Sequence, residues 1–388
     1  MKNFIFFCEL PPQNKIVGRP WFLAQEIKKK GYKVFYFALS PIFYRYFEEK
    51  KNISQNFFDI LKITHYHLSG IEVFSFPIYF PRRFLSFHRI NYALLLPLIF
   101  NRFKSIFKKS IIFVNNLLWF WILKKEIDNS VTIIYDRADD LEVFYPYKKI
   151  RRYYEKLEEI FLKKVRFSLA VSKEIEKELK EKYPFLKILL LPNGVPEEWS
   201  LILSSESENF RVEKNLKKPI IGFIGSLFQW VDLDLIEKCL QNFPEATFIL
   251  IGPYKGKSIK KLSKYSNILL LGAQPYSFIP LWINIFDVCL IPFKKEKVSY
   301  KADPIKLYEY LALGKPVVST IEWQSDNYLK DLVYVGSDEK EFIEKIKIAL
   351  KEKDPILFQK RKEYILKHHT WTKRADTLLK FLENENWC

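Results

Sequence analysis

The sequence predicts an α/β protein made of two successive parallel-sheet halves. Three observations carry this reading. Strand-like and helix-like stretches alternate through the first third, a polar segment interrupts the alternation, and the same alternation then restarts with glycines closing several strands. With 388 residues the chain has room for two or three domains of the usual size, about 100–200 residues each. Hydrophobic residues make up 48%, and the 35 Phe, 22 Tyr and 9 Trp exclude disorder over most of the length.

The first half opens with a buried strand, "NFIFFCEL". The helix "RPWFLAQEIKKKG" comes next, with Phe22, Leu23 and Ile27 on its apolar side, a basic end and Gly31 as its stop. The strand "YKVFYFAL" completes a βαβ unit. Further strands are expected at "SIIFVNN" (110–116), "VTIIYD" (131–136), "FSLAVS" (167–172) and "KILLLPNGV" (187–195). The polar run "SSESENFRVEKNLKKP" (204–219) is read as the linker. Strands then recur at "IIGFIG" (220–225), "ATFILIG" (246–252), "NILLLG" (267–272), "VCLIPF" (288–293) and "PVVST" (316–320), around a helix at 232–243. The expected division is a first Rossmann-like domain over 1–200, a linker over 201–219, a second Rossmann-like domain over 220–367, and a terminal segment over 368–388. "HHTW" (368–371) marks a helix boundary before that segment's helix.

The charge balance is +18, with an isoelectric point near 9.4. Such a surface attracts anions, whether nucleic acid, anionic lipid or phosphorylated substrates. Charge alone does not choose among them. Cys8, Cys239, Cys289 and Cys388 are scattered, without zinc or redox spacing, which fits a reducing compartment. The apolar start is too short for a signal peptide, and "INYALLLPLIF" (90–100) falls well short of the ~20 residues a membrane span needs. A cytoplasmic protein is expected. His65 and His67 share one strand face, but two histidines are not a metal site, and a surface strand is the simpler reading.

Four segments can carry chemistry. In "IGFIGSLFQW" (221–230) a strand ends at Gly225 and Ser226. Ligands of parallel sheets sit beyond the carboxyl ends of strands, so this turn either approaches a phosphate or is simply tight. In "DPIKLYEYLALGKPVVST" (303–320), Asp303 is the expected N-cap and Pro304 the first helical residue. Lys306 can neutralise a diphosphate, and Glu309 can accept two hydrogen bonds from a ribose diol. The alternative is a surface ion pair. In "YDRADDLEVF" (135–144), Asp136, Asp139 and Asp140 follow a strand of the first half. Asp139, then Asp140, is the candidate for a general base; the alternative is a helix cap with first-turn acids. Arg19, just after the first strand, is either a contact to acceptor or donor phosphate or a solvated loop residue, with the latter slightly preferred. Finally, "FPRRFLSFHRINYALLLPLIFNRFKSIFKKS" (80–110) interleaves aromatic and basic residues. It suits a membrane interface with anionic head groups, or a buried helix with a basic outer face. No nucleic-acid-binding motif supports a nucleic-acid partner.

Taken in order with "LPNGV", "LLLGAQPY" and "FDVCLIPF", these motifs resemble the GT-B sugar-nucleotide glycosyltransferases, closest to the GT4-like bacterial enzymes of surface-polysaccharide synthesis, including the teichuronic-acid type. The resemblance covers most of the second half and implies two Rossmann-like domains facing across a cleft, the first (1–200) binding the acceptor and the second (220–367) the nucleotide sugar, with the helix of 368–388 crossing back to the first domain; within such a cleft Asp139 or Asp140 would take the proton of an acceptor hydroxyl. It implies that Glu309 holds the donor ribose, that Lys306 contacts the diphosphate and that Gly225 and Ser226 face the phosphates. Tyr276, in "GAQPY", would lie near the base as a stacking or packing contact. The co-substrate would be a UDP- or GDP-linked sugar, the acceptor a glycan or lipid-linked saccharide, with no further cofactor and no metal. Peripheral contact with the anionic inner face of the cell membrane would follow from a lipid-linked acceptor. The sequence departs from the family in one place. Eight residues before Glu309, where a second acid is common, stands Lys301. It would contact an acidic sugar or a phosphate instead. A sugar-nucleotide epimerase of the same fold, or a non-catalytic glycan- or membrane-binding protein that kept it, are the other readings.

Overall fold

A computed structural model of the chain describes residues 2–9, 11–12, 17–41, 63–78, 90, 101–107, 110–123, 131–141, 148–199, 216–254, 258–295, 301–322 and 326–385. Of the aromatic and basic stretch at 80–110 only 90, 101–107 and 110 are among the described residues, and 201–215 of the expected linker lies outside them.

The first sheet contains β1 (Asn3–Cys8), β2 (Val34–Pro41), β3 (Thr64–Leu68), β4 (Ile71–Ile78), β5 (Ser110–Val114), β6 (Thr132–Arg137), β7 (Phe167–Ala170) and β8 (Lys187–Leu190). Their order is β3-β4-β2-β1-β5-β6-β7-β8, and every pairing is parallel except the edge hairpin β3–β4. Central β1 is buried on both faces, which is why it reads as an unbroken apolar run. Phe4 and Phe6 stack on Phe113 on one side, while Phe7 meets Phe37 and Trp119 on the other. The second sheet contains β9 (Ile220–Ile224), β10 (Thr247–Ile251), β11 (Ile268–Gly272), β12 (Val288–Ile291), β13 (Val317–Ser319) and β14 (Tyr334–Val335). It is parallel throughout, in the order β11-β10-β9-β12-β13-β14. That order is doubly wound, and it reverses direction between β9 and β12.

The hairpin β3–β4 adds one strand that the helix-and-strand alternation does not anticipate. Its two-residue turn, Ser69-Gly70, has φ of 51° and 73°. Positive φ at both central positions is the geometry that joins twisted antiparallel strands. On β3, His65 lies flat on the Phe74 ring at 4.3 Å, so this histidine serves the edge strand.

Six helices shape the cleft or tie the two halves together: α1 (Arg19–Lys29), α2 (Lys173–Lys182), α3 (Leu233–Asn242), α4 (Ile305–Ala312), α5 (Pro355–His368) and α6 (Trp371–Asn384). Helix α1 has Pro20 in its first turn and Gly31, at φ 91°, just past its end. Helix α6 comes after the second sheet in sequence but packs on the first. Trp371 stacks on Phe22 of α1 at 5.2 Å, and Ala375, Leu378 and Leu382 join the core beneath α1.

The chain thus crosses between the halves twice, at 193–195 and at 369–371, and the two crossings lie side by side. Val195 N donates to His369 O at 3.0 Å, and Trp371 N donates to Val195 O at 3.0 Å. Gly194 sits where this bridge is tightest. A Cβ there would stand 2.8 Å from the His369 carbonyl oxygen, a backbone atom that cannot rotate away. Gly194→Ala should therefore destabilise the protein by about 1–3 kcal/mol, read as a lower denaturant midpoint with an unchanged slope.

Candidate functional site

A cleft of about 510 Å³ separates the carboxyl ends of the two sheets, and most of the candidate residues line it. From the second half come Gly225, Ser226, Tyr276, Lys306 and Glu309; from the first come Arg19 and Asp139. Asp140 and Lys301 are not among its lining residues.

The floor on the donor side is glycine-lined for steric reasons. Gly225 has φ 142°, and a Cβ on it would meet Lys306 Cε at 2.6 Å. Gly252, at φ 143°, lies so close behind that its Cβ would meet Gly225 O at 2.0 Å. Side chains at either position would fill the space that the phosphate-facing reading requires.

Lys306 lies on the first turn of α4. Its ammonium stands over the rings of Phe293 and Phe223, at 4.8 and 5.4 Å. Among the described residues no carboxylate lies within salt-bridge distance of it. Burial lowers its ammonium to about 8, and the charge of Glu309 only partly opposes this. Glu309 is 6% exposed and accepts a hydrogen bond from the Tyr276 hydroxyl at 2.8 Å. Burial raises its carboxyl to about 7, against the help of Tyr276 and Lys306. The pair is therefore not the exposed surface pair that the sequence left open. Glu309 is buried and Lys306 half-buried, with their charges poorly compensated, an arrangement that favours a ligand able to supply the missing partners.

The ring of Tyr276 meets Phe22 of α1 at 5.2 Å and Trp199 at 5.6 Å, both tilted, so the hydroxyl that holds Glu309 is itself anchored in the first half and the crossing.

Helix α4 starts one residue later than its sequence suggests. Pro304 occupies the N-cap position, with no side-chain cap. Asp303 is turned away to other work: its carboxylate accepts Asn193 N at 2.6 Å and the Tyr308 hydroxyl at 2.6 Å. Asn193 Nδ2 donates in turn to Asp303 O. Arg374, from α6, donates to Asn193 O through Nε and Nη2 at 3.0 and 2.9 Å. Neither Asn193 nor Arg374 has a task that the sequence assigns. The "NG" of "LPNGV" and the arginine four residues after Thr370 were the available signals.

Arg19 is not a solvated loop residue. It is 4% exposed, and its Nε donates to both oxygens of Asp136 at 3.0 Å, with Nη1 reaching Asn193 Oδ1 at 3.3 Å. The ion pair compensates the charge of Arg19 on the cleft wall, while its Nη2 is buried with no hydrogen-bond partner among the described residues.

The structure separates the two aspartates. Asp139 is exposed to the water of the cleft yet closely surrounded by its walls. That enclosure, and then the negative charge of Asp136, raise its carboxyl to about 7. Asp140 instead stands 3.7 Å from the ammonium of Lys301. Lys301 also bonds Glu178 of α2 at 2.8 Å. Burial would raise the Glu178 carboxyl, but Arg137 and Lys301 outweigh it and hold it at about 2. Lys301 therefore pairs with carboxylates of the first half, and its charge is already spent there. Among the described residues, no cluster of three or more His, Cys, Asp or Glu side chains is arranged to hold a metal ion. Among them, too, no helix is long and apolar enough to cross a membrane.

Residues 218–352 match the family model described as "Glycosyl transferases group 1". A curated relative, described as the teichuronic acid biosynthesis glycosyltransferase TuaH of Bacillus subtilis, is 27% identical over 152 residues, which is 38% of each chain. Over its full length the fold resembles a sucrose-phosphate synthase from Thermosynechococcus elongatus (TM-score 0.72, 12% identity, 99% of each chain). It also resembles HepE from Anabaena in complex with UDP and glucose (TM-score 0.64, 13% identity, 98% of this chain and 99% of that one). These likenesses establish the GT-B fold.

The ionisation of Glu309 gives a testable sign. A carboxyl whose folded value lies above its unfolded value of 4.5 contributes stability that is fully present below 4.5 and lost as pH rises through about 7. Glu309→Gln cannot ionise, so it should raise the Tm of the ligand-free protein by on the order of a few degrees at pH 8 and by much less at pH 4.5. Calorimetry at the two pH values checks this.

Proposed function

We propose that this chain, which carries a group 1 glycosyltransferase domain on the GT-B fold, moves a sugar from a nucleoside-diphosphate sugar to a hydroxyl of a glycan or lipid-linked acceptor. The observation that carries the reading is half-buried Lys306, with no carboxylate in salt-bridge reach among the described residues, one turn from buried Glu309 beside the glycine floor of the cleft. Lys306 and the amide of Ser226, with Gly225 giving the close approach, would take the diphosphate, and the cation would stabilise it as it leaves. Glu309 would take the ribose diol, exchanging one tyrosine hydroxyl for two sugar hydroxyls. The cleft faces of both halves enclose the site, which excludes water from a donor prone to hydrolysis.

Asp139 stands on the opposite wall with its carboxyl near neutrality, where a general base works best. It would take the proton of the attacking hydroxyl. Asp140, paired with Lys301, would not. The complexes with UDP and glucose in HepE, and with UDP-2-fluoro glucose in an E. coli protein of 11% identity and TM-score 0.66, favour a uridine nucleotide as donor carrier. The relative named for teichuronic acid biosynthesis favours a surface-polysaccharide acceptor. A lipid-linked form of that acceptor would place the enzyme at the inner membrane face, where the net charge of +18 favours anionic head groups.

Two measurements test this. Thermal stabilisation by UDP, GDP, ADP and CMP should single out one nucleoside diphosphate, and Lys306→Ala and Glu309→Ala should each abolish the gain. Stabilisation by none of the four in a folded sample would sink the donor-site reading. With donor and acceptor in hand, Asp139→Asn should lower kcat by about 10²–10⁴ while leaving the nucleotide Kd unchanged, and should remove a rate limb that rises through about pH 7 in the wild type. An unchanged kcat would eliminate Asp139 as the base.

A further inference from the structure

The second sheet opens at one place, and a tyrosine stands in the opening. β9 and β12 pair only at Ile221–Val288 and Gly222–Cys289. Yet β9 remains paired with β10 as far as Ile224, and β12 with β13 as far as Ile291. The two central strands therefore part over their last two residues, at the reversal of strand order. Parting leaves a buried backbone amide without a ladder partner on that side. Gly225 N points to β10, where it donates to Ile251 O at 2.8 Å, so the amide before it points the other way, into the gap. Ile224 N finds the Tyr310 hydroxyl there, at 2.7 Å, and the same hydroxyl lies 3.4 Å from Ile224 O.

Tyr310 lies on α4 four residues after Lys306, so the two side chains share a face of that helix. Its ring is fully buried. One helix thus carries both the cation expected to meet the diphosphate and the hydroxyl that holds the residue just before Gly225 and Ser226.

We propose that Tyr310 is a positioning residue for the phosphate-facing loop. It takes the place of the missing strand partner, keeps β9 and β12 apart at their carboxyl ends, and so fixes the turn at Gly225 and the direction in which the Ser226 amide points. This rests on the reading of that loop as the diphosphate site, and it extends the site to a side chain that touches no substrate. Without the hydroxyl, Ile224 N–H remains buried and unpaired. The loop then gains either by closing toward β12 or by turning the amide to water, and either movement displaces Gly225.

The test compares Tyr310→Phe with the wild type for UDP, by calorimetry, and for uridine, by ligand-observed NMR. GDP and guanosine replace them if the guanine nucleotide is the one that binds. The expected result is a Kd for the diphosphate raised about tenfold, with nucleoside binding unchanged. Equal weakening of both ligands would assign Tyr310 to general stability and overturn the proposal, as would an unchanged Kd for UDP. A wild type that binds neither ligand would overturn the donor-site reading itself, and with it this inference. Should Tyr310→Phe fail to fold, amide hydrogen exchange in the wild type decides. Ile224 N–H should be strongly protected without any nucleotide, and fast exchange there would overturn the proposal.

Discussion

The arrangement of the cleft depends on the bonds made by one residue, Asn193. Its backbone N–H and side-chain amide hold Asp303, at the entrance to α4; its side-chain oxygen takes Arg19 of the first half; its carbonyl takes Arg374 of the returning helix. Donor and acceptor capacity on one short side chain suits it to join the Arg19 cation to the backbone carbonyl of Asp303, while the backbone N–H of Asn193 holds the Asp303 carboxylate. Asp303 is buried, and burial raises its carboxyl despite Tyr308 and Asn193. A network so deep is stable only while every member is bonded, so the register between the halves is set discretely rather than by sliding surfaces. Through Asp303 that register reaches Lys306 and Glu309 directly.

The site itself is held in a condition that a stability-optimised protein would avoid. Lys306 and Glu309 are both desolvated, and their shifted ionisation expresses the cost. The tyrosine that satisfies Glu309 is borrowed from the interface, wedged between Phe22 and Trp199. Ligand recognition at Glu309 and the packing between halves are therefore linked through one ring. Elsewhere the halves are tied by charge, Lys301 to Glu178 and Asp140, and these partly exposed ion pairs weaken with added salt.

Much of the fold was legible because both sheets are parallel and covered on both faces. Such strands must be apolar throughout, as in "FIFF" and "TFILI", and glycine must close them where loops crowd, as at Gly225 and Gly252. The hairpin β3–β4 was less legible, because its strands obey a different connection from the rest. The motif at 303–320 displayed Lys306 and Glu309 by helical spacing alone. It misled on Asp303, since a side chain that fits a local cap was drawn 110 positions away to Asn193. It could not show that Arg19 is buried, because only the fold brings Asp136 to it across 117 positions.

By itself the sequence determined the strands, the doubled α/β plan, the glycine turns and the residue types at the donor face. These are local or periodic properties, dictated by burial on both faces of a sheet and by backbone sterics. Only the tertiary structure decided which charges are compensated and which are not. It gave Arg19 to Asp136, Lys301 to Glu178 and Asp140, and left Lys306 and Asp139 facing the cleft. The physical reason is that a charge's role depends on what lies within a few ångströms and on how much water remains beside it, and neither is written in chain order.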